Sequence, residues 1–344
     1  MFDWYWYAET GNPAPRPGPG GNRGYPKTEQ GGPFLEAALN AFVAAPNTKR
    51  LKFCLHFCNQ DWVDVHPAKY GYHATGRPFD AEAAGGDSAP PTVRNELLQF
   101  DGWMTQKVYH AAFDHIAQKF FTLENYYTLP TKQPDGSVKD CVLFAFYILA
   151  NLVSSMGEAA TIESLQYLRD ASQKHAGKCV HIQLMTPQAS LYPSLGKMGI
   201  DSTTDYCWMK LRMANQFPET PYADVLNGIV QKWDEREAEM GNHSVPRYIP
   251  SVSTAWDSSP RTLVHDRFDN IGYPWGVAFH AEPQQFGQGM RFTKSWAQKR
   301  CGAEGCPPVL INAWNEWSEG AYLEPDRRYG FAKLEQVNAT FARV

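Results

Sequence analysis

No run of about 18 apolar residues occurs in the sequence, so no stretch reads as a membrane-spanning helix. Lys and Arg form no cluster, and with a formal net charge of −4 the chain offers no basic face to nucleic acid or to an anionic membrane. Neither G-x-x-x-x-G-K nor G-x-G-x-x-G is present, which removes the usual nucleotide-binding loops. D-x-D is absent as well, and no internal repeat is apparent. The seven cysteines, Cys54, Cys58, Cys141, Cys179, Cys207, Cys301 and Cys306, lack the spacing of a metal site, and no metal or other cofactor is expected. Most of them lie inside apolar runs and read as small hydrophobes. Cys301 and Cys306 bracket GAEG in a loop, and read equally as a local disulfide of a secreted protein or as two free thiols.

What is present is a large core and many aromatics: 43% of the 344 residues are hydrophobic, with 11 Trp and 17 Tyr. Most of those rings belong to a core, and some suit a sugar-stacking cleft. The stretch around which the rest is organised is VLINAWNEWSEGAYLEPD, Val309 to Asp326. Val309 to Ala313 has the length and β-branched character of a buried strand. It breaks at once into Trp314, Asn315, Glu316, Trp317, Ser318, Glu319 and Gly320. Two carboxylates three residues apart on a solvated helix are ordinary surface charge. Set between tryptophans directly after a buried strand, they belong at the mouth of a barrel or sheet. Such a pair suits glycosidic chemistry, which needs one carboxyl group holding a proton and a second one ionised.

The alternation along the chain supports a parallel α/β pattern. Strands are expected at Phe2 to Tyr7, Leu51 to Phe57, Cys141 to Ile148, Cys179 to Met185, Thr203 to Met209, Tyr248 to Ser253 and Val309 to Ala313. Helices are expected at Gly32 to Ala45, Trp103 to Phe121, Ile162 to His175, Tyr222 to Met240, Gly287 to Lys299 and Phe331 to Ala342. Residues 1–344 read as one domain, with long Gly- and Pro-containing loops at 8–26 and 64–99 on the face where strands end. Residues that follow strand ends are the candidates for contacting a substrate. Asn59, Asp61 and Trp62 read either as such contacts or as turn chemistry. Asp257 and Arg261 read either as a hydroxyl-binding acid beside a loop-pinning cation or as a structural ion pair. His56 lies within its strand and reads as an interior or core histidine.

The motif NAWNEWSEGAYLEPDRRYG resembles the closing motif of the WbsX-type, glycoside hydrolase family 99-like proteins. FDWYWY at Phe2 to Tyr7, LKFCLHFCNQDW at Leu51 to Trp62 and AWDSSPR at Ala255 to Arg261 resemble other parts of the same family, so the likeness spans nearly the whole chain. The better-studied relatives are retaining endo-α-mannosidases on a (β/α)8 barrel. The resemblance implies such a barrel for this chain, lacking its first βα unit because in the family a strand and helix precede the one at Phe2 to Tyr7. It implies a glycoside hydrolase acting on an oligosaccharide or polysaccharide, with Glu319 as general acid/base and Glu316 taking the proton of the sugar 2-hydroxyl, and with configuration retained. Trp4, Tyr5, Trp6, Asn59, Asp61, Trp62, Trp256, Asp257, Arg261, Asn315, Trp317, Tyr322 and Glu324 would contact substrate. Around the two glutamates the sequence departs from the endo-mannosidases, which leaves the sugar open. The alternatives are a glycosyltransferase of surface-polysaccharide synthesis and a carbohydrate-binding protein with weak or no catalysis. Location in the cell is left open, secreted or periplasmic included.

Overall fold

The computed structural model describes residues 1–8, 31–60, 62–63, 98–100, 102, 104–211, 213–267, 269–271 and 273–342. The expected loops at 8–26 and 64–99, Asp61 among the contacts, and Trp103 at the start of a helix fall largely or wholly outside these residues.

Seven strands pair in parallel and in chain order. Phe2–Ala8 lies beside Leu55–Phe57, which lies beside Val138–Phe146, then Val180–Met185 and Ser202–Thr204. A parallel bridge from Thr203 to Tyr248 carries the order to the segment that ends in Ser251–Ser253, and this strand pairs with Leu310–Asn312. Helices intervene between most neighbours, as parallel crossovers require. All seven expected strands are found. Among the described residues no ladder joins Phe2–Ala8 to Leu310–Asn312.

Two antiparallel additions were not legible in the periodicity. Gly31–Phe34, expected as the start of a helix, is a strand on the edge of Phe2–Ala8, and the helix begins only at Ala37. A Cβ on Gly31 would stand 2.8 Å from the Tyr7 carbonyl oxygen and 2.7 Å from Val108 Cγ1, so only glycine allows this approach. Thr128–Lys132 forms a hairpin with Val138–Phe146 across a turn containing Asp135 and Gly136.

The sheet divides its side chains by period two. Trp4, Trp6, Leu55, Phe57, Phe144, Phe146, Ile182 and Leu184 face the helices in one large core. Helix Gln106–Lys119 shows why these elements dock. Val108, Tyr109, Ala112, Phe113, Ile116 and Ala117 recur at helical spacing and are all buried, and Thr105 caps the start by accepting from the Val108 amide. A second core gathers Trp208, Tyr222, Trp233, Val252, Trp256, Phe279, Phe286 and Trp296 beneath helices Tyr222–Asn242 and Pro283–Gln298. The other face of the strands carries Asp3, Tyr5, His56, His181, Gln183, Ser202 and Thr204, a polar interior opposite the apolar helix face.

Disulfides join Cys301 to Cys306 and Cys141 to Cys179. The second pair corrects the reading of Cys141 and Cys179 as lone small hydrophobes. The two lie on neighbouring segments, with the Val142 amide bonded to the Cys179 carbonyl, and only strand register shows that closeness. Cys54, Cys58 and Cys207 are free and buried. No described helix is long and apolar enough to cross a membrane.

Candidate active site

The last strand ends at Asn312, and the chain then makes a small hairpin. Asn315–Glu316 pairs with Ala321–Tyr322 around a 3-10 turn at Trp317–Glu319. Gly320 closes the turn at φ +66°, and a Cβ there would stand 3.1 Å from Asp257 Cβ. A side chain at this position would meet strain and crowding together. The Asp257 amide bonds to the Glu319 carbonyl at 2.7 Å, which fixes the hairpin against the strand end carrying Trp256 and Asp257.

Glu316 and Glu319 are brought together by Arg261. Its Nη2 lies 3.0 Å from Glu316 Oε1 and its Nη1 lies 3.1 Å from Glu319 Oε1. Arg261 itself is held by the Ser318 hydroxyl and by Tyr273, whose oxygen accepts from Nη1. The two carboxylates are unequal. Glu319 is 7% exposed, whereas the side chain of Glu316 is one-third exposed. Burial pushes the Glu319 carboxyl above the ordinary range; Arg261 opposes this, the neighbouring Glu316 adds to it, and a hydrogen bond from Tyr206 opposes it. That bond runs from the Tyr206 hydroxyl to Glu319 Oε2 at 2.8 Å. Sequence reasoning missed Tyr206 because it expected a strand to run on to Met209. The strand stops at Thr204, and Tyr206 follows its end. That position after a strand is the signal that would have found it.

Other aromatic groups complete the interior side. Tyr147 packs edge-on against Tyr206, with centroids 5.9 Å apart, and against His56 at 5.6 Å. Tyr5 reaches the same space, and its hydroxyl is pushed far upward by burial, with Cys58, Asp3, Tyr7 and Glu316 adding. Asp257 does not pair with Arg261. Its Oδ2 lies 3.6 Å from His280 Nε2, and its Oδ1 accepts from the Ser259 amide. The His280 contact lowers the Asp257 carboxyl to about 2, burial opposes it and Ser259 assists, so Asp257 is anionic beside the turn.

Several expected contacts take other roles. Trp4 is 1% exposed and donates through Nε1 to Glu36 at 2.8 Å, and Trp6 packs beside it and His115, so both belong to the helix-side core. Tyr5 alone of the three points to the glutamates. Trp256 is buried in the second core, against Tyr273. Asn59 is fully buried; its carbonyl accepts from Asn151 and its side-chain amide has no hydrogen-bond partner among the described residues. Trp62 is described only as backbone, in a short pairing with Leu98–Phe100. Asn315 is exposed, and Trp317 is 45% exposed and stacked on Tyr322 at 3.7 Å with its Nε1 donating to Glu324. Trp317, Tyr322 and Glu324 therefore form one platform on the outer side of the hairpin, with Lys333 over the Tyr322 ring.

A family model described as "Glycosyltransferase WbsX" matches residues 153–337. Two proteins named "Uncharacterized protein WxcX", from two strains of Xanthomonas campestris pv. campestris, are each 32% identical over 123 residues. That alignment covers 35% of this chain and only 16% of theirs. Among solved structures, the GH99 endo-alpha-mannosidase from Bacteroides thetaiotaomicron aligns with a TM-score of 0.44 and 11% identity, over 89% of this chain and 69% of that one. Xylanase B from Clostridium stercorarium F9 aligns with a TM-score of 0.34 and 10% identity, over 88% of this chain and 83% of that one.

Proposed function

The chain belongs to the WbsX glycosyltransferase family, and from that premise we propose that it is a glycan-active enzyme that cleaves a glycosidic bond with Glu319 and Glu316. The observation that carries the reading is the inequality of two carboxylates held by one guanidinium: one buried with its proton affinity raised, the other one-third exposed. Glycosidic cleavage asks for that division. Glu319 delivers a proton to the leaving oxygen. Glu316, oriented by Arg261 and Ser318, removes the proton of the sugar 2-hydroxyl, whose oxygen displaces the leaving group with inversion. Water, deprotonated by Glu319, then opens the resulting 1,2-anhydro ring with a second inversion while Glu316 returns the proton to the 2-oxygen, so that configuration is retained overall. In this reading Tyr5, Tyr147, Tyr206 and Asp257 are the groups that would contact the sugar ring.

Release of reducing ends from a panel of oligosaccharides tests the activity. Glu319→Gln should lose about 10²- to 10⁴-fold on substrates with poor leaving groups and spare those whose leaving group departs unprotonated; Glu316→Gln should fail on both. A covalent ester trapped on Glu316 would leave a glycosidase with Glu316 as direct nucleophile. Full activity of both variants would sink the assignment. The alternative is transfer from a nucleotide-sugar, and turnover that depends on such a donor would establish it.

A further inference from the structure

On the interior face of the first two strands, three ligand-type side chains converge. The parallel register sets Asp3 directly beside His56, and Cys58 follows on the same face two residues later. His56 Nδ1 lies 2.9 Å from Asp3 Oδ1 and 3.4 Å from Cys58 Sγ, and the three donor atoms all lie within 4.8 Å of one another. We propose that Asp3, His56 and Cys58 bind a thiophilic divalent cation of the zinc class.

The geometry supports this in three ways. A tetrahedral ion with bonds of about 2.0 Å to N and O and about 2.3 Å to S holds neighbouring donor atoms roughly 3.3 to 3.7 Å apart; here His56 Nδ1 stands 2.9 Å from Asp3 and 3.4 Å from Cys58, and the third side lies within 4.8 Å. Both Asp3 and Cys58 face the same imidazole nitrogen. A Cys–His–Asp relay would need its two partners on opposite nitrogens, whereas Nδ1 acting as a ligand beside an oxygen and a sulfur is what a metal asks for. The charges also sum correctly: one carboxylate and one thiolate neutralise a divalent ion, leaving no net charge in a site where His56 and Cys58 are buried. The sulfur donor selects against calcium and magnesium, which take oxygen ligands.

Access comes from the Asp3 side, whose side chain is 54% exposed while that of His56 is 4% exposed. Tyr5 lies beside Cys58 and is also near Glu316. Cys58 binds as thiolate, so each ion taken up displaces the thiol proton to solvent. Sequence spacing concealed the site because one ligand comes from a different strand. The assignment stands on this cluster alone, and its failure would leave the Glu316/Glu319 reading untouched.

The test is a Co²⁺ titration of the chelator-treated full chain, read by the thiolate-to-cobalt charge-transfer band and the visible bands of tetrahedral cobalt, with Zn²⁺ as competitor. One equivalent should bind, Zn²⁺ should displace it, and proton release should accompany uptake. Cys58→Ser should abolish the charge-transfer band and weaken binding by more than the roughly 10- to 100-fold typical of an outer-shell loss; Asp3→Asn should weaken binding and keep the band. Cys54→Ser, at a buried thiol in the helix-side core, should change neither. If Cys58→Ser does not fold, Asp3→Asn at its half-exposed position carries the comparison. A titration without a charge-transfer band, or a band and affinity unchanged by both ligand substitutions, overturns the proposal.

Discussion

The Glu319 carboxyl is raised against two neighbours that favour its charged form. Burial outweighs the pull of Arg261, and the Tyr206 hydroxyl moderates the result by donating to Oε2. Removing that donor should raise the carboxyl further. Tyr206→Phe should therefore move the alkaline limb of the pH–rate profile upward, by about one pH unit if the bond has the usual strength of a hydrogen bond to a charged group. A limb that stays in place would mean that Glu319 does not set it. The same imbalance has a sign in stability. A carboxyl whose folded proton affinity is raised favours the folded state below its unfolded value and loses that contribution as pH rises through the folded one. Glu319→Gln should accordingly raise the Tm at neutral pH and leave it nearly unchanged below pH 4, as thermal melts at the two pH values would show. At this scale the sequence made the glutamates legible, because few surfaces read Trp-Asn-Glu-Trp. It misassigned Trp4 and Trp6, since three successive strand residues cannot face one cleft and only strand pairing shows which parity does. Tyr206 and Asp3 were hidden for a related reason, being defined by partners more than 50 residues away.

Between elements, a polar junction forms around Glu36, at the entrance of helix Ala37–Ala44. Its carboxylate accepts from Trp4 Nε1, pairs with His115 Nε2 at 2.8 Å and meets Lys119 Nζ at 2.5 Å, tying the first strand to helix Gln106–Lys119. Burial pushes this group up, but the hydrogen bonds from His115, Lys119 and Trp4 prevail and hold it at about 2. A depressed carboxyl supports the fold above its unfolded value, and that support is lost as pH falls from the ordinary carboxylate range toward about 2. Glu36→Ala strands a buried indole N–H, the His115 imidazole and the Lys119 ammonium, and should cost about 3 kcal/mol, toward the lower end for breaking a buried pair because Lys119 is partly exposed. Glu36→Gln keeps an acceptor for Trp4 and should cost less. Urea melts at neutral pH and near pH 3 separate the two effects; an Ala variant as stable as the parent at neutral pH would refute the tie. Nothing in the periodicity predicted this junction, whereas helix Gln106–Lys119 was legible from its apolar spacing alone. Periodicity reports which face is buried, and stays silent about what a lone acid finds there.

The described residues form two helix-side cores, and the candidate site draws on both. Tyr5 and Tyr147 come from strands backed by the first core, and Arg261, Glu316 and Glu319 from segments backed by the second. The residues matched by the family model, 153–337, contain Tyr206, Arg261 and both glutamates, yet they begin after Val138–Phe146 and after helix Gln106–Lys119. Without those elements, strand Val180–Met185 would lose a parallel partner along five residues, from Val142↔Val180 to Phe146↔Leu184. Helix Glu158–Ala176 would lose the neighbour against which it packs, including the stacked rings of His110 and Tyr167. An unpaired apolar strand edge beside a bared helix face favours association with other chains over folding. We therefore expect residues 153–344 expressed alone to be aggregated or to melt without a cooperative transition, and residues 1–344 to unfold as one unit by both near-UV and far-UV signals. A soluble fragment with its own sharp melt would show that the second core folds independently, and the chain would then have to be divided where the first core ends. If instead the fragment folds only when residues 1–152 are supplied in trans, the two cores form one cooperative body and the site exists only where they meet.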